Sequence, residues 1–208
     1  RTWEQGKPLA EARGEIEYAA SFIDWYAGEA GRLGVEGVTP HLENRDMQVT
    51  REPLGVAALI TPWNFPAAMI IRKAAAAMAA GCTVVVKPAP ETPFSALALA
   101  ALAHEAGIPA GVFNVITGDA PKLAKMLCED PRVRALSFTG STRVGKLLLE
   151  QTVPTLKRVS LELGGHAPFV VFPDVDVEAA VRDAVAAKFQ TSDHDCLQGK
   201  RTDVHEGI

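Results

Sequence analysis

Ile60-Thr61-Pro62-Trp63-Asn64-Phe65-Pro66-Ala67-Ala68-Met69-Ile70-Ile71-Arg72-Lys73 is the stretch that decides how this chain folds. The apolar run Gly55–Ile60 that leads into it predicts a buried strand. Two prolines, Trp63 and Asn64 interrupt that run, and an Ala-rich helix is predicted from about Pro66. A strand-to-helix turn therefore carries Asn64. In an open α/β sheet such turns lie at the carboxyl ends of the strands, where ligands and reacting atoms sit. The Asn64 amide can donate to a developing negative charge, or its carbonyl can cap the helix that follows. The segment alone leaves both readings open.

The pattern continues outward from that turn. Strand-like runs at Val56–Ile60, Thr83–Lys87, Val112–Ile116, Ala135–Thr139 and Pro168–Phe172 alternate with helical stretches at Ala67–Ala80, Phe94–Ala106, Pro121–Cys128, Thr142–Gln151 and Val177–Lys188. Thr92-Pro93 opens one helix, Gly81 and Gly107 close two, and Ser141 and Asp176 are natural N-caps. Val- and Ile-rich strands without alternation are buried on both faces, so the expected class is α/β, a Rossmann-like parallel sheet with crossover helices. Arg158–Leu163 reads as an extra strand-like segment where the chain leaves that domain. Before Gly55, Ala10–Gly31 reads as an amphipathic helix with Ile16, Ala20, Ile23 and Ala27 on one face. A loop containing Gly34, Gly37 and Pro40 follows, and Asp46–Arg51 reads as a strand of a small separate sheet.

The 208 residues are 48% hydrophobic and 22% charged, which excludes disorder and allows one sizeable domain or a domain and part of another. A net charge of −4 offers no footprint for nucleic acid or an anionic membrane. Ala74–Val86 is too short to span a bilayer and is broken by Gly81. Cys82, Cys128 and Cys196 are too few and scattered for a disulfide framework, so reduced thiols and a cytoplasmic location are expected.

Four further segments carry candidate chemistry. Phe138-Thr139-Gly140-Ser141 sits where a strand meets a helix, and Gly-rich backbone amides with a helix dipole make an anion site. The run nearly spells a P-loop, but Leu147 stands where Ser or Thr would hold a metal ion. Lys87 ends a strand and can bond ribose hydroxyls or a phosphate, or simply meet water. Glu162 lies between Leu161 and Leu163. Burial there would raise its pKa toward that of a general base, and the alternative is an ion-paired structural Glu. Cys196, in Asp193-His194-Asp195-Cys196, is a loop thiol suited to nucleophilic attack. A metal site built from Asp193, His194, Cys196 and His205 matches no standard zinc spacing, and no metal is expected.

Together these segments resemble the NAD(P)-dependent aldehyde dehydrogenase superfamily. The resemblance rests on Thr61-Pro62-Trp63-Asn64-Phe65-Pro66, Lys87-Pro88-Ala89 with Thr92-Pro93, Phe138-Thr139-Gly140-Ser141 with Gly145, Glu162-Leu163-Gly164-Gly165, and a cysteine 34 residues beyond Glu162. It implies Cys196 as nucleophile, Asn64 as oxyanion donor, Glu162 as the base that activates hydrolytic water, and Lys73 as an aid to that proton transfer. It implies a cofactor, NADP or NAD, held by Ile60, Pro62, Trp63, Lys87, Ala89, Pro90, Gly118, Phe138, Gly140, Ser141 and Leu163. NAD-preferring members commonly carry Glu three residues after the strand-end lysine. Pro90 stands there, so NADP⁺ is expected to be tolerated or preferred. The block around Ala68–Lys73 looks most like the succinate-semialdehyde dehydrogenase branch, which implies that Arg72 binds the distal carboxylate of a semialdehyde. That branch places a second arginine where this chain has Gln190.

The resemblance also implies a homodimer or homotetramer in the full-length form and three regions: residues 1–51, part of a split cofactor domain; 52–163, the NAD(P)-binding domain; and 164–208, the start of a catalytic domain. Asp193-His194 replaces the family's Gly-Gln before the cysteine. The chain reads as truncated at both ends, so either a working dehydrogenase or a catalytically inactive nucleotide-binding fragment is expected.

Overall fold

The computed structural model describes residues 2–34, 36–39, 41–189 and 198–207. In chain order the elements are α1 (Thr2–Gln5), α2 (Leu9–Ala30), β1 (Glu36–Val38), β2 (Met47–Val49), β3 (Val56–Ile60), α3 (Ala68–Ala79), β4 (Thr83–Lys87), α4 (Pro93–Glu105), β5 (Phe113–Val115), α5 (Ala120–Glu129), β6 (Val133–Gly140), α6 (Thr142–Thr152), β7 (Arg158–Leu163), β8 (Ala167–Val171), α7 (Val177–Phe189) and β9 (Gly199–Val204). A short 3₁₀ turn at Val153–Thr155 follows α6.

Five strands form one parallel sheet in the order β5-β4-β3-β6-β7. Counted from β3, this is the doubly wound order 3-2-1-4-5, and its topological switch point lies between β3 and β6. Alternate residues of the central strands feed two cores. Ala57, Leu59, Val84 and Val86 pack with Ile70 and Ala74 of α3 and Ala96 of α4 on one face. Ala58, Ile60, Leu136 and Phe138 pack with Leu127 and Cys128 of α5 and Leu148 of α6 on the other. Both faces are covered, which is why these strands read as continuous apolar runs.

Arg158–Leu163 pairs with β6 over six residues, from Ala135↔Arg158 to Gly140↔Leu163, and is the fifth strand and the last in chain order before the chain passes to a separate sheet. One strand expectation changes. The segment expected at Pro168–Phe172 is instead β8, which pairs in parallel with β9 in a separate two-stranded sheet. Sequence periodicity identifies strands but not their neighbours, so a run of similar length was assigned to the wrong sheet. The stretch after Ala30, read as loop, contains β1, which pairs antiparallel with the expected β2.

The buried face of α2 also differs from expectation. Ile16 and Ile23 are half exposed, while Ala12, Glu15 and Ala19 are buried. Ala19 joins Ala67, Ala68, Ile71 and Ala75, with Phe22 and Tyr26 beside it. Close approach of α2 to α3 selects small side chains at the contact, and a hydrophobicity count favours the large ones.

The N-terminal helices cap the helices they cover. Helix α4 has Thr92 at its N-cap without a side-chain hydrogen bond. Glu4 accepts instead from Phe94 N (2.9 Å) and Ser95 N (3.0 Å), and also from Ser95 Oγ. Ser141 and Asp176 cap α6 and α7 as expected: Ser141 Oγ accepts from Val144 N at 3.3 Å, and Asp176 Oδ1 from Glu178 N at 3.0 Å. Replacing Glu4 by Ala is predicted to lower stability by about 1 kcal/mol through loss of the α4 cap. Glu4→Gln, which keeps an acceptor oxygen, should lose less than half as much in urea unfolding.

Candidate active site

Register brings the candidate residues to one edge of the sheet. Ile60 pairs with Lys87 on one side and with Phe138 on the other. Across the next ladder Phe138 pairs with Leu161, Thr139 with Glu162 and Gly140 with Leu163. The carboxyl ends of β3, β4, β6 and β7 therefore lie in one row, and the β3–β6 switch point opens at its centre. Thr61 N–H donates to Lys87 O at 3.2 Å, which carries the pairing one residue beyond β3 and fixes where the Pro62–Pro66 turn begins.

Asn64 lies in that turn, half-buried. It does not cap α3, whose N-cap residue is Ala67 with no side-chain hydrogen bond from its own sequence. The helix-cap reading of Asn64 is therefore not the one its Oδ1 adopts.

Lys73 reaches from α3 to β6, where its Nζ donates to Ser137 Oγ at 3.0 Å. Burial lowers its pKa from 10.5 to about 8; the Glu162 carboxylate raises it and the Arg72 guanidinium lowers it further. A lysine poised there exists in both protonation states near neutral pH, which suits proton transfer. Arg72, one residue earlier, points to the surface. Its Nη2 lies 3.5 Å from Glu162 Oε1, and its guanidinium sits 5.9 Å from the Phe22 ring centroid.

Glu162 is not buried between leucines as expected. Its side chain is 53% exposed: β7 is the last strand of its sheet, and among the described residues no strand pairs along its outer side. A Leu-Glu-Leu pattern signals burial only when both faces and both edges are covered. Arg72 and Lys73 are the cations beside it.

Lys87 is buried at the end of β4. Burial lowers its pKa, and Glu91 pulls it back up. Glu91 is thus within electrostatic reach of Lys87, with Ala89 buried and Pro90 exposed between them. At the β6 end, a side chain on Gly140 would put Cβ 2.5 Å from Phe138 Cζ, and one on Gly145 would put it 2.4 Å from Leu163 Cδ2. These glycines let the β6–α6 turn and the end of β7 close together. Gly118, with φ +146°, lies beyond β5 in an exposed turn, and Trp63 and Pro62 are half-buried in the β3–α3 turn.

Two residues quoted in the sequence motifs but given no role there belong to the same edge. Thr61 Oγ1 and Thr139 Oγ1 are buried and have no hydrogen-bond partner among the described residues. They follow the paired residues Ile60 and Phe138 at the switch point. An unpaired buried hydroxyl costs free energy, so among the described residues these two carry an unmet hydrogen-bonding capacity at this edge. Their sequence signal was membership of the Asn64 and Gly140 motifs.

Cys196, with Gln190, Asp193, His194 and Asp195, lies outside the described residues. So does most of the alternative metal cluster. No group of three His, Cys, Asp or Glu suited to a metal occurs among the described residues. No helix there is long and apolar enough to cross a membrane.

The whole chain, residues 1–208, matches the aldehyde dehydrogenase family. The chain belongs to that family. It is 64% identical over 207 residues to a non-phosphorylating aspartate-semialdehyde dehydrogenase of Halomonas elongata, covering 100% of this chain and 42% of that protein. It is 56% identical over 207 residues to an NADP⁺ succinate-semialdehyde dehydrogenase of Escherichia coli, covering 100% and 43%. The crystal structure of a succinate-semialdehyde dehydrogenase from Burkholderia pseudomallei superposes with a TM-score of 0.97 at 54% identity, covering 100% of this chain and 43% of that one. This aldehyde dehydrogenase chain thus spans less than half the length of the relatives it matches.

The charge on Lys73 has a measurable consequence. Its folded pKa, about 8, lies below the unfolded value of 10.5. Folding therefore carries the full cost of the buried charge below about pH 8, and the cost fades as pH rises toward 10.5. Lys73→Met is predicted to stabilise the chain by about 1 to 2 kcal/mol at pH 7. The gain should shrink by pH 10 in chemical denaturation at the two pH values.

Proposed function

We propose that the protein of which this chain forms part oxidises a semialdehyde to its carboxylic acid with NADP⁺ or NAD⁺, through a thioester on Cys196. The reading is supported by the placement of Lys87, the Asn64 turn and Glu162 at the carboxyl ends of β4, β3 and β7, in one row across the switch point, with Lys73 reaching Ser137 of β6 from α3. Family membership supports it independently.

The residues present fit a nicotinamide dinucleotide. The Thr61 and Thr139 hydroxyls, without a partner among the described residues, the α6 N-terminus behind Gly140 and Ser141, and the Lys87 ammonium offer donors for pyrophosphate and ribose. Ile60, Pro62, Trp63, Ala89, Pro90, Gly118, Phe138 and Leu163 complete the proposed binding set. Bound there, the dinucleotide supplies the hydride acceptor that the oxidation needs.

The chain's own residues do the rest. The Cys196 thiolate adds to the aldehyde carbon, and the resulting oxyanion accepts a hydrogen bond from the Asn64 amide. One such donor is worth about 3 to 4 kcal/mol of transition-state stabilisation. Glu162 accepts a proton from the water that cleaves the thioester, and Lys73, near its pKa at neutral pH, helps to move it on. Arg72 pairs with the distal carboxylate of the substrate in a charge-assisted contact. Aspartate, succinate and glutarate semialdehydes, named in the relatives, each carry such a carboxylate. Pro90 at the position of the NAD-selecting Glu favours acceptance of NADP⁺. The full-length form is proposed to be a homodimer or homotetramer in the cytoplasm.

Assayed by NADPH absorbance at 340 nm with succinate semialdehyde, turnover should vanish in Cys196→Ala. Cofactor binding without turnover would instead identify a nucleotide-binding unit. Arg72→Ala should raise KM for succinate semialdehyde about 10- to 100-fold, from a lost charged hydrogen bond of roughly 1.5 to 3 kcal/mol. An uncharged aldehyde of the same length should be little affected. An unchanged KM for succinate semialdehyde would remove Arg72 from the substrate site, and a strong preference for NAD⁺ would overturn the cofactor assignment.

A further inference from the structure

A buried ion pair stands behind the Asn64 turn. Lys7 Nζ donates to Glu15 Oε2 at 2.6 Å, and the two side chains are 0% and 1% exposed. Glu15 Oε1, the other oxygen of the same carboxylate, accepts from Ala67 N at 2.8 Å and from Ala68 N at 3.3 Å. These are the amides that open α3, and the helix has no side-chain cap of its own. The Lys7 ammonium lies 4.1 Å from the centroid of the Phe65 ring. One ion pair thus holds the residue directly after Asn64 and the helix start that follows, while Thr61 N–H fixes the other end of the turn on Lys87 O.

We propose that Lys7 and Glu15 are positioning residues for Asn64: the pair clamps Phe65 and the first amides of α3, so that the Asn64 amide is held in one orientation at the switch point. The inference rests on the proposed oxyanion role of Asn64 only for its effect on turnover; the clamp itself stands on the contacts. Three features make it specific. The pair is about fifty residues away in sequence and comes from a different element. Its carboxylate is divided between a cation and two backbone donors, so neither partner can move alone. The cation presses on the ring next to Asn64 and not on a distant part of the core.

The test is a side-chain amide spectrum of the ¹⁵N-labelled chain. Asn114 provides an internal control, since its Nδ2 donates to Val84 O at 3.0 Å and Gly111 O at 2.8 Å, away from the clamp. Lys7→Met and Glu15→Gln are each expected to shift or double the Asn64 carboxamide signals and leave Asn114 in place. Each single variant strands a buried partner, so the double variant Lys7→Met/Glu15→Gln, neutral and similar in shape, is measured beside them. It should unfold cooperatively and still displace the Asn64 signals. Unmoved Asn64 signals in the folded double variant would overturn the proposal. Loss of cooperative unfolding in the double variant would overturn it as well, because the pair would then serve the whole fold.

Turnover separates this from the reaction reading. Asn64→Ala should lower kcat by about 100-fold or more, and Lys7→Met by at least about tenfold, with NADP⁺ affinity unchanged. In the Asn64→Ala background Lys7→Met should be silent, because the group it positions is gone. Losses that multiply in the double variant would overturn positioning. An Asn64→Ala variant with full turnover would remove the oxyanion role and leave the spectral result to judge the clamp.

Discussion

Among the described residues Glu15 holds the Lys7 ammonium, the first amides of α3 and, through Lys7, the Phe65 ring. Two charges removed from water form a costly arrangement unless every lone pair is used. Here the carboxylate is shared between a cation and two backbone donors that had no other cap. Breaking such a pair from one side typically costs about 3 to 5 kcal/mol, because the other charge is left buried. The clamp also explains the buried stripe of α2. Small residues at Ala12 and Ala19 flank Glu15 and allow the helix to approach closely enough for its carboxylate to reach α3.

The same device recurs at α4, where Glu4 accepts from the first amides of a helix that lacks its own cap. Helices α3 and α4 cover one face of the sheet, and both have their N-termini completed by carboxylates from the first fifteen residues. Helices α5, α6 and α7 are capped by Asp119, Ser141 and Asp176 from their own sequences. The two groups of helices are therefore built by different means. One is locally encoded, and the other depends on a segment that docks from a distance.

Along the carboxyl ends of the strands, parallel register does the organising. The ladders from β4 through β7 bring Lys87, Ile60, Phe138 and Leu161 side by side, and one step further place Thr139 beside Glu162. Lys73 and Arg72 enter that row from α3, so the orientation of one helix sets two cations against one carboxylate. The clamp at Glu15 acts on the start of that helix. The geometry of the polar edge and the buried pair behind the Asn64 turn are thus parts of one arrangement.

Much of this was legible in the residues. Apolar runs separated by Gly, Pro and capping residues identified β3, β4, β6 and most helices, because each of those signals acts within a few residues of where it is read. The same local logic joined to family resemblance put the Asn64 turn, Lys87 and the Gly140 turn at strand ends, where the register has them. Sheet order was not legible: Arg158–Leu163 and Ala167–Val171 look equally strand-like, and only pairing with β6 or β9 distinguishes them. Exposure of Glu162 follows from its place on the last strand of its sheet, and the lowered pKa of Lys73 from burial beside Ser137. Nothing in the sequence singles out Lys7, which precedes α2, or Glu15 within it. Only the tertiary structure buries them, because the free amides that need Glu15 belong to a helix more than fifty residues later in the chain.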